Sequence, residues 1–250
     1  MGEVLGNRNL KALIIGGARG IGRAVASHLI ADGVDLVFTS LSGRQSTKEE
    51  LKRLRVTDHQ IVEQLVLDVR NAVEIEVVIG QTERILNGLD YLVYSPGGAL
   101  VEPMGEVDSE SWEEMLSIHC IGASFAISKA QKSLKNSGMG SVVLISSISS
   151  LSARPNQLAY SSAKAAMNQV MRSYALKLAE DGVRVNSVLP GLIASAALDS
   201  MPRGEIEAVI SSTPLKRLGT VDEIANCVTF LLSPKASFVT GHSFVASGGR

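Results

Sequence analysis

Tyr160 and Lys164 stand four residues apart in the run Ala159-Tyr160-Ser161-Ser162-Ala163-Lys164-Ala165-Ala166, and Ser147 lies thirteen residues before the tyrosine. On a helix, positions i and i+4 share a face, so the phenol and the ammonium project into one space. A free tyrosine titrates near pH ~10, and exchanging protons near pH ~7 takes about 4 kcal/mol of differential stabilisation of its anion. A lysine one turn away supplies a cation for that purpose. The hydroxyl of Ser147 is then available to hold a substrate oxygen. A Tyr and a Lys at this spacing also occur on ordinary helix surfaces, so the chemistry requires a nucleotide site elsewhere in the chain.

A candidate for that site follows the first apolar run. Residues 10–15 read as a short strand, and Gly16-Gly17-Ala18-Arg19-Gly20-Ile21-Gly22 opens a segment with helical spacing at Ile21, Val25 and Leu29. Glycines let a backbone approach phosphates closely, and a helix N-terminus offers unpaired N–H groups. At the end of the second strand of an NAD-binding unit, an acid grips the ribose hydroxyls. This chain has Phe38-Thr39-Ser40-Leu41-Ser42-Gly43-Arg44 there, with Ser40 at the ribose position and no acid. A carboxylate would repel a 2′-phosphate, and its absence removes that penalty. Arg19 and Arg44 add charge-assisted partners for such a phosphate. These residues favour NADP(H) over NAD(H).

The positioning elements follow from the apolar pattern. Strand-like runs at 10–15, 34–39, 61–67, 89–94, 141–145, 183–189 and 243–245 alternate with helical stretches at 21–31, 47–54, 72–86, 109–133, 157–180 and 221–232. Asp108 or Ser109 is expected to cap the fourth of those helices. The alternation predicts an α/β, Rossmann-type doubly wound parallel sheet of about seven strands with helices on both faces. Residues 192–213 read as an insertion between strand and helix. The 250 residues, 45% of them hydrophobic, suit a single domain over 1–250. The helices at 109–133 and 157–180 carry apolar residues on more than one face, as expected if another copy of the chain covers one of them.

Other classes are disfavoured. A net charge of −1 gives no sign of nucleic-acid binding. No apolar run reaches the ~20 residues a membrane span needs, and the polar start lacks a signal-peptide core. Cys120 and Cys227, both in apolar segments, read as buried free thiols of a cytoplasmic protein. His28, His59, His119 and His242 are scattered, and no metal site is expected.

The glycine loop and the Tyr/Lys pair together resemble the short-chain dehydrogenase/reductase family, and the resemblance covers nearly the whole chain. The family pattern T-G-x-x-x-G-x-G is met at Gly16, Gly20 and Gly22, with Ile15 in place of the Thr. Asp68-Val69 resembles the pair at the adenine ring. Val185-Asn186-Ser187-Val188-Leu189-Pro190-Gly191 resembles the segment passing the nicotinamide, and Ile193 sits where a backbone amide meets the carboxamide. Thr240-Gly241 and Gly248-Gly249 resemble the C-terminal signature. Within the family the layout, including residues 214–225, is similar to 3-oxoacyl-acyl-carrier-protein reductases. The resemblance implies that Tyr160 is the general acid in reduction, that Lys164 lowers its pKa and holds the nicotinamide ribose, and that Ser147 hydrogen-bonds the substrate carbonyl. It also implies a homotetramer or homodimer.

Three positions depart from the pattern. Ile15 is read as structural. The family's N-N-A-G is Tyr94-Ser95-Pro96-Gly97 here, which implies a different bracing of the sheet and, through Pro96, the loss of one donor beside the cofactor. A fourth catalytic Asn of the family falls at His119. That histidine is open to three readings: support of a helix kink, a titrating member of a proton relay, or packing in an apolar helix. The resemblance places the substrate between segments 96–101, 148–157 and 192–202, where Ser149, Arg154 and Leu192 join Ser147 and Tyr160 as candidate contacts. Small and apolar residues dominate there, so a mainly apolar carbonyl or alcohol is expected, acyl thioesters included. A carrier-protein substrate would want a basic surface such as Lys129, Lys132 and Arg172. Two alternatives stay open: a catalytically silent nucleotide-binding or regulatory subunit, and an isomerase or dehydratase on the same fold.

Overall fold

In the computed structural model, residues 9–43, 45–97, 108–152, 156–199 and 201–250 are described. Strand periodicity builds the layers. Along β1 (Lys11–Ile15), Ala12 and Ile14 join one core cluster while Leu13 and Ile15 join the other. The same alternation holds in β2 (Asp35–Ser40), β4 (Tyr91–Tyr94) and β5 (Ser141–Ile145), where neighbouring residues feed opposite faces. With β3 (Val62–Val66), β6 (Arg184–Pro190) and β9 (Ser243–Ala246), these strands form one seven-stranded sheet in the order β3-β2-β1-β4-β5-β6-β9. Every pairing in it is parallel. Both faces of a parallel sheet must be covered. Here α1 (Gly20–Ala31) and α8 (Val221–Leu232) cover one face, and α3 (Ala72–Leu86), α5 (Gly122–Ser137) and α6 (Leu158–Leu178) the other.

The doubly wound sheet is the one the alternation predicts, and strand order reverses between β1 and β4. Ligands of such sheets bind in the crevice at the carboxyl ends of the strands beside the reversal.

Several boundaries differ from the expectation. Asp108 does cap α4 (Ser109–Leu116), its carboxylate accepting from the Ser111 N–H at 2.7 Å. The helix expected over 109–133 is broken, however, by a π-helical turn, Ser117–Ile121, before α5 begins. There the Gly122 N–H donates to Ser117 O, five residues back. The charged helix near 47–54 is α2 (Gln45–Lys52). The stretch read as an insertion contains β7 (Ile193–Ala194) and α7 (Arg203–Ser212); β7 pairs with β8 (Gly219–Thr220) in a small second sheet. Cys120 and Cys227 are free, as expected, but only partly buried. Among the described residues, no helix is long and apolar enough to cross a membrane, and no group of His, Cys, Asp or Glu could hold a metal ion.

Candidate active site at the carboxyl edge of the sheet

The glycine loop leaves β1 at the strand reversal. Gly16 has φ +83°, and a Cβ there would lie 2.7 Å from the Ser95 carbonyl carbon, in the loop after β4. At Gly22 a Cβ would fall 2.2 Å from Gly16 O, so only glycine lets α1 start this close to the loop. A residue that no motif singles out locks the loop: Thr39, at the end of β2, accepts the Gly16 N–H on its hydroxyl (3.1 Å) and the Gly17 N–H on its carbonyl (3.0 Å). In front of the helix the space is open. Arg19, the N-cap, makes no side-chain capping bond, and a Cβ on Gly20 would meet nothing within 4 Å. The first N–H groups of a helix have no intrahelical partner, and among the described residues no capping side chain bonds to them. This cradle fits a dinucleotide diphosphate.

At the ribose position the hydroxyl of Ser40 donates to Ser42 O (2.7 Å) and accepts from Gln64 Nε2 (2.8 Å). Arg19 is exposed and forms no ion pair among the described residues. Arg44 lies outside the described residues, as do Arg154 and the part of the expected substrate wall at 98–101. The carboxylate of Asp68 is gripped by the Arg70 guanidinium, at 2.6 Å for the shortest contact, which holds its pKa below the usual carboxylate value. Val69 is buried beside it. Pro190 closes β6, and Gly191 donates to Ala246 O at 3.1 Å. Ile193 is buried in β7, next to Leu192, whose carbonyl accepts from Gly219.

Tyr160 and Lys164 share the inner face of α6, as their spacing predicts. The Lys164 Nζ lies 5.7 Å from the centre of the Tyr160 ring and donates to Ile145 O, at the end of β5, at 2.7 Å. Lys164 is buried, and that burial lowers its pKa from 10.5 to about 7. Ser147 lies two residues past the end of β5, with an extended backbone, and caps the 3₁₀ turn Ile148–Ser150. Its hydroxyl oxygen accepts the Ser149 N–H at 3.1 Å, which leaves its single proton for another acceptor. The Ser149 hydroxyl turns to Gln157 Oε1 at 3.4 Å.

His119 sits in the π-helical turn and is 1% exposed. Its ring meets the Tyr160 ring edge-on, with centres 5.4 Å apart and planes at 84°. Its Cε1–Nε2 edge faces Gly97, where a Cβ would lie 2.6 Å from His119 Cε1. The different bracing expected from Tyr94 is explicit: its buried hydroxyl donates to Ile118 O, within that turn, at 2.6 Å. Gly122 makes room for it, since a Cβ there would stand 2.4 Å from the Tyr94 hydroxyl. Ile15 is fully buried, as a structural residue should be.

Comparison with known proteins identifies the family. A family model described as enoyl-(acyl carrier protein) reductase matches residues 16–250. The 2-dehydro-3-deoxy-L-rhamnonate dehydrogenase (NAD(+)) of Sphingomonas sp. (strain SKA58) is 30% identical over 96% of this chain and 94% of its own length. The 3-oxoacyl-[acyl-carrier-protein] reductase FabG of Staphylococcus aureus (strain N315) is 29% identical over 95% and 96%. The solved structure of ElxO with NADP bound superposes with a TM-score of 0.87 at 27% identity, covering 97% of this chain and 98% of that one. The chain belongs to the short-chain dehydrogenase/reductase family. It is an NAD(P)-dependent oxidoreductase, similar to dehydrogenases and reductases that include 3-oxoacyl-acyl-carrier-protein reductases.

Proposed function

We propose that this oxidoreductase is a single 250-residue domain that prefers NADP(H), acts on a mainly apolar carbonyl or alcohol, 3-oxoacyl thioesters included, and works through Ser147, Tyr160 and Lys164. The observation that carries the reading is the buried Lys164 ammonium, held 5.7 Å from the Tyr160 ring at the strand end from which Ser147 projects. When bound, the nicotinamide supplies or accepts the hydride. In reduction, Ser147 donates a hydrogen bond to the substrate oxygen, its own oxygen being occupied by the Ser149 N–H. Tyr160 gives its phenolic proton to that same oxygen. Lys164, whose pKa of about 7 places its proton exchange near neutrality, stabilises the phenolate left on Tyr160. In oxidation the same groups run in reverse. These three intact side chains argue against a silent nucleotide-binding subunit, and the hydride chemistry of the relatives argues against an isomerase.

The dinucleotide would be held by the N–H groups opening α1 at Gly20, Ile21 and Gly22, with Gly16 and Ala18 shaping the loop. Ser40 would meet the ribose, Arg19 and Arg44 the 2′-phosphate, and Asp68 and Val69 the adenine. The nicotinamide end would lie against Ser95, Pro96, Gly97, Pro190, Gly191 and Ile193, with Tyr160 and Lys164 at its ribose. Relatives are named or solved with either cofactor, so the preference rests on this chain: no acid at Ser40 and an exposed Arg19 that forms no ion pair among the described residues. NADPH is expected to bind more tightly than NADH, and Arg19→Ala to narrow the ratio about tenfold, the worth of one charge-assisted bond at about 1.4 kcal/mol. Titrations of both cofactors by fluorescence check this; equal affinities in the parent would contradict it.

His119 is read as a member of the proton path that also holds the Tyr160 ring. His119→Asn is expected to lower kcat about tenfold, because the edge-on contact holding the Tyr160 ring is lost, with NADPH affinity unchanged within about twofold. Parent-like kcat would leave the ring with a packing role alone. Ser149 and Leu192 would line the substrate side in this reading, with Arg154, outside the described residues, a candidate by its sequence position alone. Lys129 is paired with Glu76 at 2.8 Å, which weakens the basic surface a carrier protein would want and favours a free thioester or small ketone. Exposed Phe125 on α5 and Leu176 on α6 support a homodimer or homotetramer formed through those helices. The two free cysteines support a cytoplasmic setting.

A further inference from the structure

The inner face of α6 is bonded to the end of β5 at each of the residues 145–147. Lys164 Nζ donates to Ile145 O at 2.7 Å, and the Ser146 hydroxyl donates to Lys164 O at 3.3 Å. The bond to Ser147 is indirect. The Ser150 hydroxyl donates to Ser147 O at 2.6 Å, and Asn168 Nδ2 donates to Ser150 Oγ at 2.8 Å. Asn168 lies one turn beyond Lys164 on the same face and is 2% exposed. Its carbonyl end accepts the Ser187 hydroxyl of β6 at 3.1 Å, and Ser187 is fully buried.

The direction of this chain is fixed. Ser150 has one proton and gives it to Ser147 O, so its oxygen is free to accept, and among the described residues the Asn168 amide N–H is the group that donates to it. Asn168 thereby joins the helix carrying Tyr160 and Lys164, the turn carrying Ser147 and the strand leading to Pro190. Buried polar chains of this kind fix geometry because each member left unpaired costs its full desolvation. A reacting group displaced by about 1 Å can lose roughly 10²-fold in rate.

We propose that Asn168 is a positioning residue for the reaction: through Ser150 it sets where the Ser147 hydroxyl stands relative to Tyr160. The inference rests on the reading of Ser147 as the group that binds the substrate oxygen. Other buried side chains of α6, such as Met167 and Met171, pack in the apolar core and make no such connection.

The test uses the full chain with NADPH and the carbonyl compound it reduces fastest from a panel of ketones, diketones and 3-oxoacyl thioesters. Four variants are compared: Asn168→Ala, Ser150→Ala, the double variant and Ser147→Ala. Ser150→Ala breaks the same connection from the partly exposed turn without touching α6, so it serves if Asn168→Ala fails to fold. Each single variant is expected to lose about 10- to 100-fold in kcat, with the NADPH dissociation constant unchanged within about twofold. The double variant is expected to be no slower than the worse single one, because both cut one chain. Parent-like kcat in a folded Asn168→Ala or Ser150→Ala protein would overturn the proposal, as would losses that multiply. Parent-like kcat in Ser147→Ala would instead overturn the underlying reading of Ser147.

Discussion

Tyr160→Phe is expected to lower kcat by about 10²- to 10⁴-fold, the usual worth of a general acid, while NADPH affinity stays within about twofold. The change removes one hydroxyl and keeps the ring. The edge-on contact with His119 at 5.4 Å and the Lys164 ammonium at 5.7 Å involve the ring and survive the substitution. Tyr160 is also only partly buried, so no large cavity opens. Stability should therefore change little. Steady-state rates with NADPH, together with a cofactor titration and a melting curve, separate lost chemistry from lost structure. A phenylalanine variant that turns over at the parent rate would remove Tyr160 from the mechanism.

Lys164→Met is expected to abolish turnover to a similar degree and to stabilise the cofactor-free protein. The two effects share one cause. Burial depresses the Lys164 pKa from 10.5 to about 7, so the folded state binds fewer protons than the unfolded state between those values. Stability then rises with pH through that window. Above about pH 10.5 the penalty is absent, it grows as pH falls, and below about pH 7 it is fully present. At its limit it is worth about 5 kcal/mol, from roughly 1.36 kcal/mol per pKa unit. The lost bond to Ile145 O returns about 1–3 kcal/mol to the other side. At pH 6 the methionine variant should accordingly melt several degrees higher than the parent, with the gap closing toward pH 10. A gap independent of pH would mean that Lys164 is not held in the charge-disfavouring setting its burial implies.

Much of this arrangement is local, and local features were legible. The strand, glycine loop and helix from Lys11 to Ala31 are one continuous segment whose periodicity changes where the glycines fall. Tyr160 and Lys164 needed only helical spacing. The π-helical turn was not legible, because residues 109–137 keep apolar residues at spacings that a continuous helix also satisfies. What widens the turn comes from elsewhere: the Tyr94 hydroxyl reaches Ile118 O from β4, and Gly122 admits it. The helix α7 was missed for a different reason. Val209 is its one buried residue, so it has no apolar stripe to read. Asn168 and Thr39 escaped because their partners are 18 to 23 residues away, and polar side chains leave no periodic trace of such contacts. Arg44 and Arg154 are candidates by position alone and lie outside the described residues.

The departure at His119 gains a physical setting from the same contacts. Tyr94 holds the turn, the turn carries His119, and His119 meets the ring of Tyr160. The two departures from the family pattern, at Tyr94 and at His119, are thus neighbours in one chain of contacts ending on the proposed acid.

In the proposed mechanism Tyr160, backed by Lys164, exchanges a proton with the oxygen of a carbonyl substrate while NADPH is consumed. The most direct measurement is the loss of NADPH absorbance, with product analysis, for the parent and Tyr160→Phe side by side across ketones, diketones and 3-oxoacyl thioesters. The parent is expected to oxidise NADPH in step with alcohol formation on at least one of them, and the variant to bind NADPH but oxidise about 10²-fold less or lower still. Clear NADPH binding by the parent without oxidation against any of the panel, or equal rates in the two proteins, would contradict it.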